Sequence, residues 1–217
     1  MKKLIYTLAL SLALPLASCT TKPGGGQAAE TAQPAAKEVC IQLYSARDLL
    51  KDNSQLETVL KQLADMGYTS VEAANYNDGK FYGKTPQEFK QAVEAAGMKV
   101  LSSHTTRALT DQELASGNLT EALKWWDQCI ADHKAAGMKY IVTPWLSVPK
   151  TVKDLQTYCD YFNEIGKRCQ AAGLQYGYHN HNHEFQKVED KEVMYDYMLT
   201  HTNPEYVFFQ MDVYWVV

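Results

Sequence analysis

Residues 177–186, Gly-Tyr-His-Asn-His-Asn-His-Glu-Phe-Gln, hold three of the chain's six histidines at every second position, with a glutamate directly after the last. In an extended strand, residues two apart project from one face. His179 and His181 are therefore expected to point together, joined by His183 if the strand runs that far, while Asn180 and Asn182 point away. Neutral imidazole and carboxylate are ordinary ligands for Zn²⁺, Mn²⁺ or Co²⁺, and Glu184 is expected to turn back over the ring pair. The competing reading is a polar strand end tied up in hydrogen bonds, with no metal. Asp212 and His104 favour the metal. Asp212 interrupts the apolar run FFQMDVYW, and a buried carboxylate needs a partner or an ion. No thiolate lies close by in sequence, so a structural zinc site is not expected.

The elements that must carry these groups form a repeated pattern: a helical run, then Gly, then a short apolar strand. Four copies are centred on Gly67, Gly97, Gly137 and Gly173. Glycine after an amphipathic stretch is a natural helix stop, because it takes the left-handed conformation without steric cost. The β-branched and aromatic residues that follow suit buried strands. Helix–Gly–strand repeats predict βα units and a parallel sheet, with strands near residues 39–44, 68–73, 99–104, 139–144, 174–180 and 206–212.

An open doubly wound sheet and a barrel both fit that pattern. No GxGxxG and no GxxxxGK[ST] occurs, which weakens the nucleotide-binding open sheets. Polar residues recur at the C-terminal end of nearly every expected strand: Gln42 and Ser45, Glu72, His104, Thr143, His179 and His181, Asp212. Barrel enzymes build their sites there, whereas an open sheet concentrates them at one switch point. The expectation is an α/β fold, a (β/α)8 TIM barrel left incomplete at about six βα units. A full barrel needs about 250 residues, and the chain stops after the sixth strand, so the last two units are expected to be missing. Trp145, after Pro144, falls at the barrel mouth, where an indole can stack on a sugar ring or simply fill space.

The N-terminus reads separately. Residues 1–19 have a basic start, an apolar core too short to span a bilayer and small residues before Cys19, the pattern of an export signal. Leu16-Ala17-Ser18-Cys19 resembles a bacterial lipoprotein signal, with Cys19 as the lipidated first residue; an ordinary signal peptide is the alternative. Residues 20–37, rich in Gly, Pro, Ala, Thr and Gln, are expected to be a flexible tether, leaving 38–217 as the barrel. The protein is therefore expected to be exported, in the periplasm or at the outer membrane, touching membrane only through its lipid. Of 217 residues, 46% are hydrophobic and 21% charged, as in ordinary globular proteins. A net charge of −4 without a Lys/Arg run argues against nucleic acid as a partner. Cys40, Cys129, Cys159 and Cys169 form no CxxC pair and read as isolated core cysteines.

The repeat pattern, YHNHNHEF after Gly173, FQMDVYW in the next strand and CIQLYSARD in the first together resemble the sugar phosphate isomerase/epimerase family, xylose-isomerase-like barrels related to the AP-endonuclease-type barrels. The resemblance covers residues 39–217. It implies a divalent metal at the barrel mouth, Mn, Zn, Co or Mg. A Glu from strand five or its loop, an Asp from strand six, and a His and a Glu from strands seven and eight would hold it. Carried onto this chain, the first two fall on Glu184 and Asp212, with His179 or His181 replacing or supporting the strand-five ligand. The other two have no counterpart, so a chain of this length is expected to hold metal poorly or not at all. The resemblance also makes Glu72 a contact for substrate hydroxyls and His104 a substrate-facing histidine able to give a proton or polarise a carbonyl.

The function expected is a metal-dependent isomerase or epimerase of a sugar or keto-sugar, working through an enediolate. Glu184, His104 and His181 are its acid/base candidates, and Glu72, Trp145 and His179 its substrate contacts. Elimination or hydrolysis of a 3-keto-glycoside on the same fold is the first alternative, and a sugar-binding lipoprotein without catalysis the second. The partner in each case is a small carbohydrate; the sequence leaves the oligomeric state open.

Overall fold

The structure, a computed structural model, describes residues 38–216. Cys19 and the signal and tether segments lie outside the described residues. Twelve elements frame the fold. In chain order they are β1 (Cys40–Gln42), α1 (Leu56–Asp65), β2 (Ser70–Ala73), α2 (Pro86–Ala95), β3 (Lys99–His104), α3 (Asp111–Ser116), α4 (Thr120–Ala135), β4 (Tyr140–Thr143), α5 (Val152–Ala172), β5 (Gln175–His179), α6 (Met194–His201) and β6 (Val207–Gln210). Short antiparallel hairpins sit at Tyr76–Phe81 and Lys187–Val193.

Among the described residues the main sheet has six strands, all pairs parallel, in the order β1-β2-β3-β4-β5-β6. Each strand pairs with its sequence neighbour, with no reversal of order, so there is no switch point. That is the progression of consecutive βα units in a barrel. The expected strands are all present; β3 has the expected bounds, and the others are shorter by one or two residues at one or both ends.

The glycine stops work as the repeat implies. Gly67, Gly97, Gly137 and Gly173 all have positive φ, from +79° to +96°. After each, the next amide reaches back to a carbonyl five residues earlier: Tyr68 to Leu63, Met98 to Val93, Met138 to His133 and Leu174 to Cys169. This closes the helix end and turns the chain into the next strand. Helix starts are equally explicit. Thr85 and Thr110 form capping boxes with Glu88 and Glu113, and Thr151 accepts the amide of Asp154, each satisfying an orphan N–H.

Two cores hold the outer helices on the sheet. One packs Leu56, Leu60, Phe89 and Val93 against Val71 and Val100. The other packs Trp126, Tyr161, Phe162 and Ile165 against Ile141, Tyr176 and Tyr178. Trp126 is buried and its indole N–H donates to Tyr161 Oη at 2.6 Å. His133 is also a core residue, bonded to Thr105 and to the Cys129 carbonyl. Inside the sheet, Gly177 opposes Phe208, and a Cβ on Gly177 would lie 2.6 Å from the Phe208 ring. The glycine leaves that ring its place beneath the site.

Candidate active site

Strand register builds the site. Gln42 pairs with Glu72, Glu72 with Ser102, and His179 with Gln210. These residues and His104 share the inner face near the C-terminal strand ends, and their side chains meet. Glu72 is buried, and both its oxygens are engaged. Oε2 accepts Ser102 Oγ at 2.6 Å and Gln210 Nε2 at 3.0 Å; Oε1 accepts Gln42 Nε2 at 3.0 Å and faces His104 Nε2 at 3.0 Å. Burial pushes the Glu72 carboxyl upward, but the hydrogen bond and charge of His104, then Ser102 and Gln42, outweigh it and hold it down to about 2. It is an anion at any ordinary pH.

Gln210 joins the two histidines. Its Oε1 lies 2.9 Å from His104 Nε2 and 2.9 Å from His179 Nδ1. The two rings stand edge to face, 4.8 Å between centroids. His179 Nε2 faces Asp212 Oδ2 at 3.4 Å. Burial, reinforced by the charge of His104, lowers the pKa of His179, and burial does the same for His181.

Above this network opens a cavity of about 1000 Å³. His104, His179, His181 and Asp212 face it, and its walls are aromatic: Tyr44, Tyr76, Trp145, Tyr214 and Trp215 contribute. Trp145 is half exposed and packs edge-on against His181 at 5.1 Å. Among the described residues lining the cavity, Arg47 is the single Lys or Arg, and its guanidinium lies 4.7 Å from the centroid of the Tyr44 ring.

The structure rearranges part of the sequence expectation. β5 ends at His179, so His181 reaches the cavity from the following loop and not from strand alternation. His183 lies in a 3₁₀ turn, His183–Phe185, its Nε2 donating to the Leu146 carbonyl at 2.9 Å. That turn reverses the chain and carries Glu184 inward, away from the mouth. Glu184 is fully buried, accepting Tyr178 Oη at 2.7 Å and the His181 amide at 2.8 Å. Asp212 lies past the end of β6, held by Asn180, whose Oδ1 accepts the Asp212 amide at 2.9 Å. Glu184 and Asp212 therefore do not approach each other over the mouth, and Glu72 lies under the cavity floor. Gln210, not singled out in the sequence, is at the centre of the network. Its one signal was its place two residues before Asp212 in an otherwise apolar strand.

Among the described residues no group of three or more His, Cys, Asp or Glu side chains is placed to hold a metal ion. His179 and Asp212 are donors of suitable chemistry, but Glu184 has its oxygens spent on Tyr178 and His181. The donor set present does not fit a bound divalent ion, and no step below passes through one. No helix among the described residues is long and apolar enough to cross a membrane.

Comparison with known proteins agrees with this architecture. The model of a family described as xylose isomerase-like TIM barrel matches residues 60–217. A crystal structure of a sugar phosphate isomerase/epimerase from Parabacteroides distasonis ATCC 8503 is 29% identical, covering 87% of this chain and 69% of its own, with a TM-score of 0.73. A second one from the same organism is 31% identical over 83% of this chain and 70% of its own, also with a TM-score of 0.73. The structure of an L-ribulose 3-epimerase, 14% identical, shares the fold with a TM-score of 0.58, covering 81% of this chain and 60% of its own. No protein of curated function matches the sequence.

Proposed function

The chain belongs to the xylose isomerase-like TIM barrel family, and from that premise we propose that it is a sugar or keto-sugar isomerase/epimerase that moves a proton next to a carbonyl through an enediolate. The two sugar phosphate isomerase/epimerases to which it is similar support that reaction class. The observation that carries the reading is the pair of imidazoles, His104 and His179, side by side under one aromatic-walled cavity with Asp212 at its edge.

Chemically, one imidazole takes the proton from the carbon next to the carbonyl, and the electron pair passes into the C–C bond as the carbonyl oxygen becomes enolate. Return of a proton to the opposite face gives the epimer, and return to the neighbouring carbon gives the isomer. Burial lowers the pKa of His179, which favours the neutral form that a base requires. The aromatic walls exclude water and offer ring faces to the apolar side of a sugar. The family generally uses divalent metals.

A second reading, elimination or hydrolysis of a 3-keto-glycoside, begins with the same proton abstraction. Two features favour an uncharged glycoside: the size of the cavity, and a lining with Arg47 as its single Lys or Arg among the described residues. We also propose export and lipidation at Cys19, from the lipobox-like run before it; a lipid-anchored protein meets glycans before it meets sugar phosphates. Incubation with free sugars, sugar phosphates and 3-keto-glycosides in D₂O, with Mn²⁺ or with chelator, tests the function. Deuterium entering next to the carbonyl is expected. A new keto-sugar without its aglycone would shift the reading to elimination, and binding without exchange would leave a sugar-binding protein.

A further inference from the structure

Glu72 offers only acceptors, and Gln210 lies across it. With Gln210 Nε2 3.0 Å from Glu72 Oε2, that end of the amide must be the NH₂; the flipped amide would set a carbonyl against a carboxylate. The other end, Oε1, is then a carbonyl facing His104 Nε2 and His179 Nδ1, each at 2.9 Å. A carbonyl only accepts, so both of those ring nitrogens carry hydrogen. His104 Nε2 meets a second acceptor in Glu72 Oε1 at 3.0 Å. Gln42 Nε2, 3.3 Å from the same nitrogen, is thereby a donor to Glu72 and not to the ring.

We propose that Gln210 is a positioning residue that fixes the tautomers of both histidines, with its own orientation dictated by Glu72. In the neutral rings the lone pairs then sit on His104 Nδ1 and His179 Nε2. Among the described residues His104 Nδ1 has no hydrogen-bond partner and is not among the unsatisfied buried atoms, and His104 lines the cavity, the side to which that nitrogen is left free. His179 Nε2 lies 3.4 Å from Asp212 at the edge of the same cavity, a contact without hydrogen-bond geometry and weaker than the 2.9 Å bond from Nδ1 to Gln210, so the hydrogen stays on Nδ1. One amide, of Gln210, thus presents two basic nitrogens to one ligand, where two freely tautomerising rings would each spend part of their time with an N–H there. The catalytic consequence rests on the function proposed above; the tautomers themselves do not.

The two arms of this lock differ, which makes it testable. His104 Nε2 has Glu72 as well as Gln210 to hold its hydrogen. His179 Nδ1 has Gln210 alone, and without it the hydrogen is drawn to Nε2 by Asp212, 3.4 Å away. Long-range ¹H–¹⁵N correlation spectra of ¹⁵N-histidine-labelled protein, at alkaline pH where the rings are neutral, report which nitrogen is bare. Wild type should show His104 bare at Nδ1 and His179 bare at Nε2. In Gln210→Met, which keeps length and removes both amide groups, His104 should be unchanged and His179 should reverse. The same variant should lose kcat by about 10- to 100-fold with KM nearly unchanged. Wild-type His179 protonated at Nε2, or a Gln210→Met spectrum like wild type, would overturn the inference. Should Gln210→Met not fold, Gln210→Leu makes the same cut, and the wild-type spectrum decides alone. Inactivity toward every sugar with the tautomers as stated would sink the proposed function and leave the lock standing.

Discussion

Replacing Glu72 by Gln should destabilise the fold far more than an exposed Glu-to-Gln change. The carboxylate takes four contacts, two at each oxygen: Ser102 and Gln210 at one, Gln42 and His104 at the other. A glutamine turns one oxygen into NH₂, so two donors then face a donor in a buried place. Hydrogen bonds to a charged group contribute about 1.5–3 kcal/mol each, and breaking a buried charged network by removing one partner costs about 3–5 kcal/mol. A loss of about 3–5 kcal/mol follows, equivalent to about 10 °C in Tm for a domain of this size. Titration gives an independent figure. Glu72 is lowered from 4.5 to about 2 in the fold, so it binds its proton more weakly folded than unfolded. Its contribution is complete above about pH 4.5 and is lost as pH falls from there through about 2. The difference corresponds to on the order of 3 kcal/mol. Urea denaturation at a series of pH values from 7 to 3 tests both. Glu72→Gln should be less stable at pH 7 and should decline less steeply below pH 4.5. A variant within 1 kcal/mol of wild type at pH 7, with the same acid limb, would refute the reasoning.

Three further outcomes are expected. Gly166→Ala, normally favourable in a helix, should here cost about 1–3 kcal/mol, because its Cβ would collide with the Tyr206 carbonyl of the chain leading into β6; thermal melting measures it. The acid limb of the pH–rate profile should lie below the ordinary histidine value, since burial lowers His179 and a base works only when neutral; a limb above 6.5 would contradict this. Replacing Cys19 by Ser should abolish incorporation of a fatty-acid probe and release the protein from membranes, and a variant that still partitions with membranes would defeat the lipid anchor.

The fold was legible in the sequence because one local device repeats. Four glycines with positive φ each end a helix and start a strand, and that signal lies within a few residues of chain. His104, His179 and Trp145 could be placed at the mouth for the same reason: each ends or closely follows a strand. Glu184 could not, because a single 3₁₀ turn after His179 decides whether it faces the cavity or the core. Gln210 was hidden for a different reason. An amide in an apolar strand carries no charge or metal signature, and its meaning depends on Glu72, 138 residues away in sequence. Their side chains meet across the inner face of the sheet although β2 and β6 do not pair, and no local pattern encodes that.

The central claim is that His104 and His179 move the proton. Its most direct test is solvent deuterium wash-in at the carbon next to the carbonyl, using whichever sugar of the panel the wild-type protein exchanges. His104→Gln and His179→Gln should each slow exchange by about 10²- to 10⁴-fold, while circular dichroism stays native. Exchange at the wild-type rate in the double variant, or no exchange by wild type on any sugar, sugar phosphate or 3-keto-glycoside, would contradict the account.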